Sequence, residues 1–361
     1  MFENEIGQKK IKQFFTTAIK SNKLSQAYLF YGIEGTGKDA FAFEIARSLN
    51  CKDRDNIPCN KCISCIKINK MGHPDVDYIM PVFSKSSDEE IYLKKREKIQ
   101  NPYKRIMFEG NTSISIEIIR NLKNSSVFKP FEGKKRVAII SKAEKMTLEA
   151  ANSILKLLEE PPKDLLFILT VTDLGLIIPT IRSRCTEVKF PPLSKEEIRD
   201  ALIKNLKVDK QEAEIISNIS GGSFSKASEY LQEGIEEKKE FAEKLLEIIF
   251  LKNSKIYLDF AEELVNKRNL EFVKDVLTII NLLVRDAIYY KINSESKTDI
   301  KYKIHDNSNV NQLAVNLSYD YLELINSEIE KSIDLIDKNI YLYLIIVNLI
   351  TNIRKIINKK I

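Results

Sequence analysis

The chain has 361 residues, of which 30% are Asp, Glu, Lys or Arg and 43% are apolar, with no tryptophan. That length allows two or three domains with real hydrophobic cores, and the balance excludes a disordered or fibrous chain. A net charge of +6 is mild for this size. It permits contact with an acidic partner but falls short of the dense basic character of a chain that binds nucleic acid on its own. Met1 to Lys10 is polar and shows no signal pattern. The most apolar stretch, Ile340 to Ile350, is interrupted by Asn348 and is too short for a bilayer, which needs ~20 residues. A cytoplasmic protein with no membrane partner is the expectation.

Taken in chain order, apolar residues recur at helical spacing over Ile6 to Ile19. Ala27 to Tyr31 is a short apolar run that reads as a buried strand. It leads into Gly32-Ile33-Glu34-Gly35-Thr36-Gly37-Lys38-Asp39, and Ala40 to Leu49 reads as a helix. A strand, a glycine-rich loop and a helix in that order suit a phosphate cradle. The glycines let backbone N–H groups face the phosphates, and the helix N-terminus adds positive potential. Gly32, Gly35, Thr36, Gly37, Lys38 and Asp39 are therefore the candidate nucleotide-binding residues. Asp39 stands where a Ser or Thr would hold Mg²⁺. A carboxylate there repels phosphate unless a metal bridges the two, so the loop reads either as a retained nucleotide site or as a relic.

Four of the five cysteines follow directly, spaced C-x7-C-x2-C-x2-C as Cys51, Cys59, Cys62 and Cys65. Such clustering in a large chain argues for metal rather than disulfides, and thiolates at this spacing can close a tetrahedral S₄ shell of the structural zinc type. His73-Pro74-Asp75 reads as a structural turn. Val76 to Met80 is a second strand, and the charged, irregular stretch Ser84 to Thr112 reads as a surface insertion. Ser115 to Lys123 is helical and Arg136 to Ile140 is a third strand.

That third strand ends in Ser141-Lys142-Ala143-Glu144. A nucleotide hydrolase would carry an Asp, and usually a Glu, at the first two of these positions. Phosphoryl transfer needs an acidic residue on the metal and a group orienting the attacking water. Ser141 and Lys142 supply neither, and Glu144 is displaced by two positions. Leu148 to Glu160 is a helix stopped by Pro161-Pro162. Leu166 to Val171 and Thr186 to Phe190 complete five strands, and their alternation with helices argues for a parallel α/β sheet. Between these two strands, Pro179 to Cys185 carries Arg184. Read by spacing alone, Arg184 is either a solvated surface residue or a finger for a neighbour's γ-phosphate.

Beyond Pro191-Pro192 the pattern is helical. Ser194 with Glu197 forms a capping-box signature. A small helical module runs to about Gly234, broken at Gly221-Gly222, and 237–361 is a larger helical region without a catalytic motif.

Four stretches together resemble the bacterial DNA polymerase III clamp loader family, and within it the delta-prime branch. They are Ala27 to Gly32 leading into the loop, the cysteine module with His73-Pro74-Asp75, Ala150 to Pro162, and Thr180 to Cys185. The resemblance covers residues 1 to about 230. It implies an α/β AAA+ P-loop module with a parallel five-stranded sheet over 1–192, carrying a zinc module (51–65) and an insertion (82–112). A small helical lid (193–236) and a C-terminal all-α collar domain (237–361) would follow. The implied role is a stator subunit supporting loading of the sliding clamp onto primed DNA, in a hetero-pentamer with gamma/tau and delta subunits. In that family the arginine of Ser-Arg-Cys completes the neighbour's ATP site, which gives Arg184 a catalytic role in trans. The lid of the ATPase relatives carries an arginine after a Gly-Ser pair; Gly222-Ser223-Phe224-Ser225-Lys226 has none. The expected cofactor is a structural Zn²⁺; binding of ATP or ADP by the chain's own loop is left open, and any nucleotide bound there would not be hydrolysed. Two other readings are an active gamma/tau-type clamp loader ATPase and a zinc-dependent nucleic-acid-binding protein.

Overall fold

A computed structural model describes residues 1–53, 55–250, 254–266, 270–296, 313–338 and 341–358. The chain divides into two compact units, Met1–Ala201 with Ser220–Ser228, and Leu202–Ile219 with Glu229–Ile361.

The first unit is built on seven strands and eight helices in chain order. They are α1 (Lys9–Lys20), β1 (Ala27–Tyr31), α2 (Lys38–Asn50), α3 (Ile63–Asn69), β2 (Val76–Ile79), β3 (Val82–Phe83), α4 (Asp88–Gln100), β4 (Thr112–Ser113), α5 (Ile116–Ser126), β5 (Arg136–Ile140), α6 (Leu148–Glu159), β6 (Leu165–Val171), α7 (Pro179–Arg182), β7 (Thr186–Lys189) and α8 (Lys195–Leu206), whose last residues pass into the second unit. Five strands form one parallel sheet in the order β2-β5-β6-β1-β7. This is the α/β P-loop class expected, followed by helices among the described residues of the C-terminal part.

Strand periodicity sorts the core into two faces. Tyr28, Phe30, Val137, Ile139, Leu166 and Ile168 point to one side, where they meet Phe15, Phe41 and Phe190. Leu29, Ala138, Ile140, Phe167 and Leu169 point to the other and meet Ile119, Leu122, Ile154 and Leu158. Every residue of β5 and β6 is buried, which is why both strands read as unbroken apolar runs. β7 is an edge strand and stays mostly exposed. α6 begins at Thr147, whose side chain accepts from the Ala150 N–H at 3.2 Å. The Ser194 box closes reciprocally, with Ser194 N donating to Glu197 Oε2 at 2.9 Å and Glu197 N to Ser194 Oγ at 3.1 Å.

Two local expectations give way. α1 begins at Lys9, not at Ile6, because Gly7 and Gln8 take left-handed backbone angles of 58° and 56°. The segment 82–112, expected as irregular surface, contains a four-turn helix. Ser87 caps α4 by accepting from Glu90 N at 3.2 Å, and Asp88, Glu89 and Glu90 fill its first turn. A short antiparallel pair, β3 with β4, closes the segment. Most of the segment stays exposed or half-buried, as expected of a surface insertion, but Lys98, Ile99 and Tyr103 are buried and anchor it to the unit.

The second unit is helical throughout its described residues, with α9 (Lys210–Ile219), α10 (Phe224–Glu233, its start belonging to the first unit), α11 (Glu236–Phe250), α12 (Ser254–Asn266), α13 (Leu270–Ser296), α14 (Tyr319–Asp337) and α15 (Leu342–Asn358). Tyr230 donates to Asp275 at 2.6 Å, and Lys238 pairs with the same carboxylate at 3.4 Å. The expected apolar helix near the C-terminus is α15, with Ile345, Ile346, Leu349 and Ile350 buried; Ile340 lies outside the described residues. Among the described residues no helix is long and apolar enough to cross a membrane.

Candidate functional site

The sheet order makes the site. β1 lies beside β6, with Phe30 opposite Thr170, and β6 lies beside β5, with Leu169 opposite Ile140. The carboxyl ends of the three strands therefore stand side by side, and the loop from β1 to α2 crosses in front of them, where α/β sheets hold ligands. Gly32 has φ +145°, and a Cβ there would lie 2.1 Å from the Phe190 carbonyl oxygen, so no larger residue fits. Gly37, at φ +98°, caps α2 in the left-handed region.

Lys38 is buried and turned back on its own loop, donating to the carbonyls of Gly32 and, at 2.8 Å, Ile33. Burial lowers its pKa to about 8, opposed by Asp39 and Glu144. Thr36 is buried and donates to Ile33 O at 2.9 Å. Asp39 accepts from Ser141 Oγ at 3.1 Å and from Thr170 Oγ1 at 3.3 Å. An ATPase sets a loop hydroxyl beside a strand-end carboxylate to share a metal ion. Here the two groups have exchanged positions, carboxylate on the loop and hydroxyl on the strand. Lys142 is drawn to Glu34 at 2.7 Å. Glu144, the displaced acid, accepts from Thr172 N at 3.1 Å and Thr172 Oγ1 at 2.8 Å, so it is tied to the end of β6.

Three partners of this pocket come from the 82–112 segment. Lys98 pairs with Asp39 at 3.1 Å, Arg105 with Glu34 at 3.1 Å, and the Tyr103 hydroxyl would lie 3.1 Å from a Cβ on Gly37. Tyr103 also accepts from Ile6 N at 2.9 Å and donates to Glu5 at 3.2 Å. Burial first, then Glu44, raises the Glu5 pKa from 4.5 to about 7. The fold thus binds this proton more tightly than the unfolded chain. The contribution is complete below about pH 4.5 and fades as pH rises through about 7. Glu5→Gln should therefore raise the melting temperature at pH 8, by an amount worth about 1–3 kcal/mol, and change it little at pH 4.5. Equal shifts at both pH values in a thermal melt would contradict this.

The four cysteines converge. Cys51 ends α2, Cys62 caps α3, and Cys65 lies on α3. The Sγ atoms of Cys51, Cys59, Cys62 and Cys65 all lie within 4.8 Å of one another. The cluster can hold a metal ion, since four sulfurs at ~2.3 Å from a tetrahedral centre stand ~3.8 Å apart. Backbone N–H groups already point at sulfur, Cys59 N to Cys51 Sγ at 3.4 Å and Cys62 N to Cys59 Sγ at 3.3 Å. His73 takes no part; it bonds Ser64 Oγ at 2.9 Å and accepts from Asp75 N at 3.1 Å. Asp75 in turn accepts from the N–H groups of Phe131, Glu132 and Gly133 at 2.7–2.9 Å.

Arg184 stands apart from the loop and the cysteines. It follows α7, donates to Thr180 O at 2.8 Å and Ser183 Oγ at 3.2 Å, and pairs with Glu159 at the end of α6. Its side chain keeps 31% exposure. Lys98, Tyr103, Arg105 and Thr170 were not found by motif. Their sequence distance from the loop hides them, although Ser87-Asp88-Glu89-Glu90 is a legible capping signal for the helix that brings Lys98 in.

Residues 7–194, slightly more than half of the chain, match the family described as DNA polymerase III, delta subunit. DNA polymerase III subunit delta' of Bacillus subtilis is 28% identical over 298 residues, covering 81% of this chain and 80% of that one. The gamma subunit of Buchnera aphidicola is 31% identical over 237 residues, covering 64% of this chain and 57% of its own. Among solved structures, a gamma subunit-related protein of Thermotoga maritima aligns with 94% of this chain and 98% of its own at 18% identity and a TM-score of 0.37. The chain belongs to the DNA polymerase III delta subunit family, and so among the clamp loader subunits of that polymerase.

Proposed function

We propose that this chain is a delta-prime-like stator of the clamp loader, which lends Arg184 to a neighbouring ATPase subunit while its own P-loop stays hydrolytically silent. The observation that carries the reading is the Asp39–Ser141 exchange with Lys142 in the place of the catalytic acid. A water-orienting base needs a free acceptor near the γ-phosphate. Lys142 is a cation, and Glu144, two positions beyond the expected acid, is held through Oε1 by Thr172, with its Oε2 buried and without a hydrogen-bond partner. Arg184, by contrast, is partly exposed on a short loop between α7 and β7, held by carbonyl, hydroxyl and carboxylate groups that fix its planar fork.

In this reading, 1–192 is the AAA+ module, 193–236 its helical lid and 237–361 the collar that joins gamma/tau and delta subunits in a hetero-pentamer. The complex acts in the cytoplasm on the sliding clamp and primed DNA. Cys51, Cys59, Cys62 and Cys65 hold a structural Zn²⁺: the shell is closed by four sulfurs, leaving no open position for catalysis. A second reading, an active gamma/tau-type ATPase, draws on the same exchange, because a hydroxyl and a carboxylate still face each other there.

Reconstitution tests the reading. The chain should co-elute with purified gamma and delta subunits, and ATP turnover stimulated by clamp and primed DNA should require it. A complex that forms and loads clamps equally well without the chain would refute the stator role.

A further inference from the structure

We propose that the segment 87–108 is a built-in plug of the chain's own P-loop pocket, with the Lys98 ammonium in the place of the metal ion and the Tyr103 phenol over Gly37. The proposal deepens the reading of this pocket as silent, and rests on it only in that the pocket is the same.

Charge balance comes first. A nucleotide arrives with three to four negative charges, and in a P-loop the divalent ion bridges its phosphates to the protein. Asp39 adds a further negative charge, so it needs a cation whether or not nucleotide is present. Lys98 supplies one internally at 3.1 Å, and its ammonium is fixed by a second bond to Lys104 O at 2.8 Å. Lys98 is 8% exposed, so the pair is shielded from solvent and salt. A metal ion and this ammonium compete for the same carboxylate. Glu34 is likewise already neutralised, between Lys142 and Arg105. Asp39 and Glu34 are thus paired without a metal ion, while Lys38 spends its hydrogen bonds on the loop's own carbonyls.

Space is the second argument. The loop's N–H groups must be reachable from the side of the phosphates. Tyr103 lies on Gly37, the glycine just before Lys38, and is anchored on the far side by Glu5 and Ile6. Its carbonyl is tied to Ser225 Oγ, and Phe224 N donates to Gly35 O at 3.1 Å. The loop is thus flanked by two segments of the same unit, 98–105 at the end of α4 and 223–225 at the start of α10. Each is joined to it by polar contacts that a nucleotide would have to break.

The sequence positions agree with this division of labour. A residue at 39 that is a carboxylate rather than a hydroxyl has a use when its partner is an ammonium. The plug thereby accounts for both departures, Asp39 and the added segment, with one ion pair.

The test is equilibrium binding of a fluorescent ATP analogue with Mg²⁺ to the full chain. Wild type should show no saturation up to about 1 mM. Lys98→Ala with Arg105→Ala should bind at least tenfold more tightly, and the added Lys38→Ala change should abolish the gain. Should that double variant melt early, Lys98→Gln, which keeps the stem and removes the charge, replaces it. Wild type binding as tightly as folded variants would overturn the plug, as would folded variants that bind no better than wild type. Phosphate release is read separately. Turnover by the opened variants would sink the silent-pocket reading and leave the plug standing.

Discussion

Replacing Arg184 with Ala should slow ATP turnover of the reconstituted clamp loader at least tenfold while leaving this chain's fold intact. An arginine that completes a neighbour's site is worth ~10³–10⁵ in rate at the site it serves. Sites of a ring that fire in one coupled cycle slow together, so the bulk rate follows the crippled site. Stability should change little: the guanidinium pairs with Glu159 at a partly exposed position, and such pairs contribute ~0–1 kcal/mol. Arg184→Lys should recover only a fraction, since an ammonium keeps the charge and loses the two-pronged geometry. Unchanged steady-state turnover in the Ala variant, with assembly verified, would remove the finger role.

The second large effect concerns the thiolate cluster. Metal analysis of the native chain should find about one zinc, and the double change Cys59→Ser with Cys62→Ser should lose it. Structural zinc carries apparent binding energies of ~10–16 kcal/mol, so its loss is a folding event rather than a local one. The module is tied into the sheet's surroundings. Asn50 Oδ1 accepts from Lys134 N and Lys135 N at 2.9 and 3.0 Å, Lys134 Nζ reaches Cys51 O at 3.1 Å, and Lys67 pairs with Glu132 at 2.7 Å. Losing about 5 kcal/mol at this size would lower the melting temperature by roughly 10–20 °C. A metal-free native protein, or a double variant that melts with wild type, would contradict the assignment.

The sheet was legible because burial on both faces leaves a one-dimensional trace. Arg136 to Ile140 and Leu165 to Val171 have little room for polar residues, and the sequence shows it. The Ser194 capping box was legible for a similar reason, since both partners lie within one helical turn. The four cysteines come from one short stretch, so their spacing alone pointed to the cluster that forms. What spacing could not show was contact between distant segments. That Asp39 meets Ser141 and Thr170 depends on β1 lying beside β6 and β6 beside β5, and strand order is not written in any local pattern. The helix within 82–112 leaves little trace in the sequence because its charges mask the few apolar anchors. Ile99 and Tyr103 are buried while the first turn of α4 is acidic, as its dipole favours. Lys98 is the clearest case: a lysine in a charged run reads as solvated, and only its carboxylate partner, Asp39, shows otherwise.

The most direct measurement sets two variants side by side in one reconstituted complex. Clamp- and DNA-stimulated phosphate release is read with Lys38→Ala and with Arg184→Ala versions of this chain. Lys38→Ala should match wild type, and Arg184→Ala should fall at least tenfold. The reverse pattern, turnover lost with Lys38 and untouched without Arg184, would make this chain a motor and contradict the account.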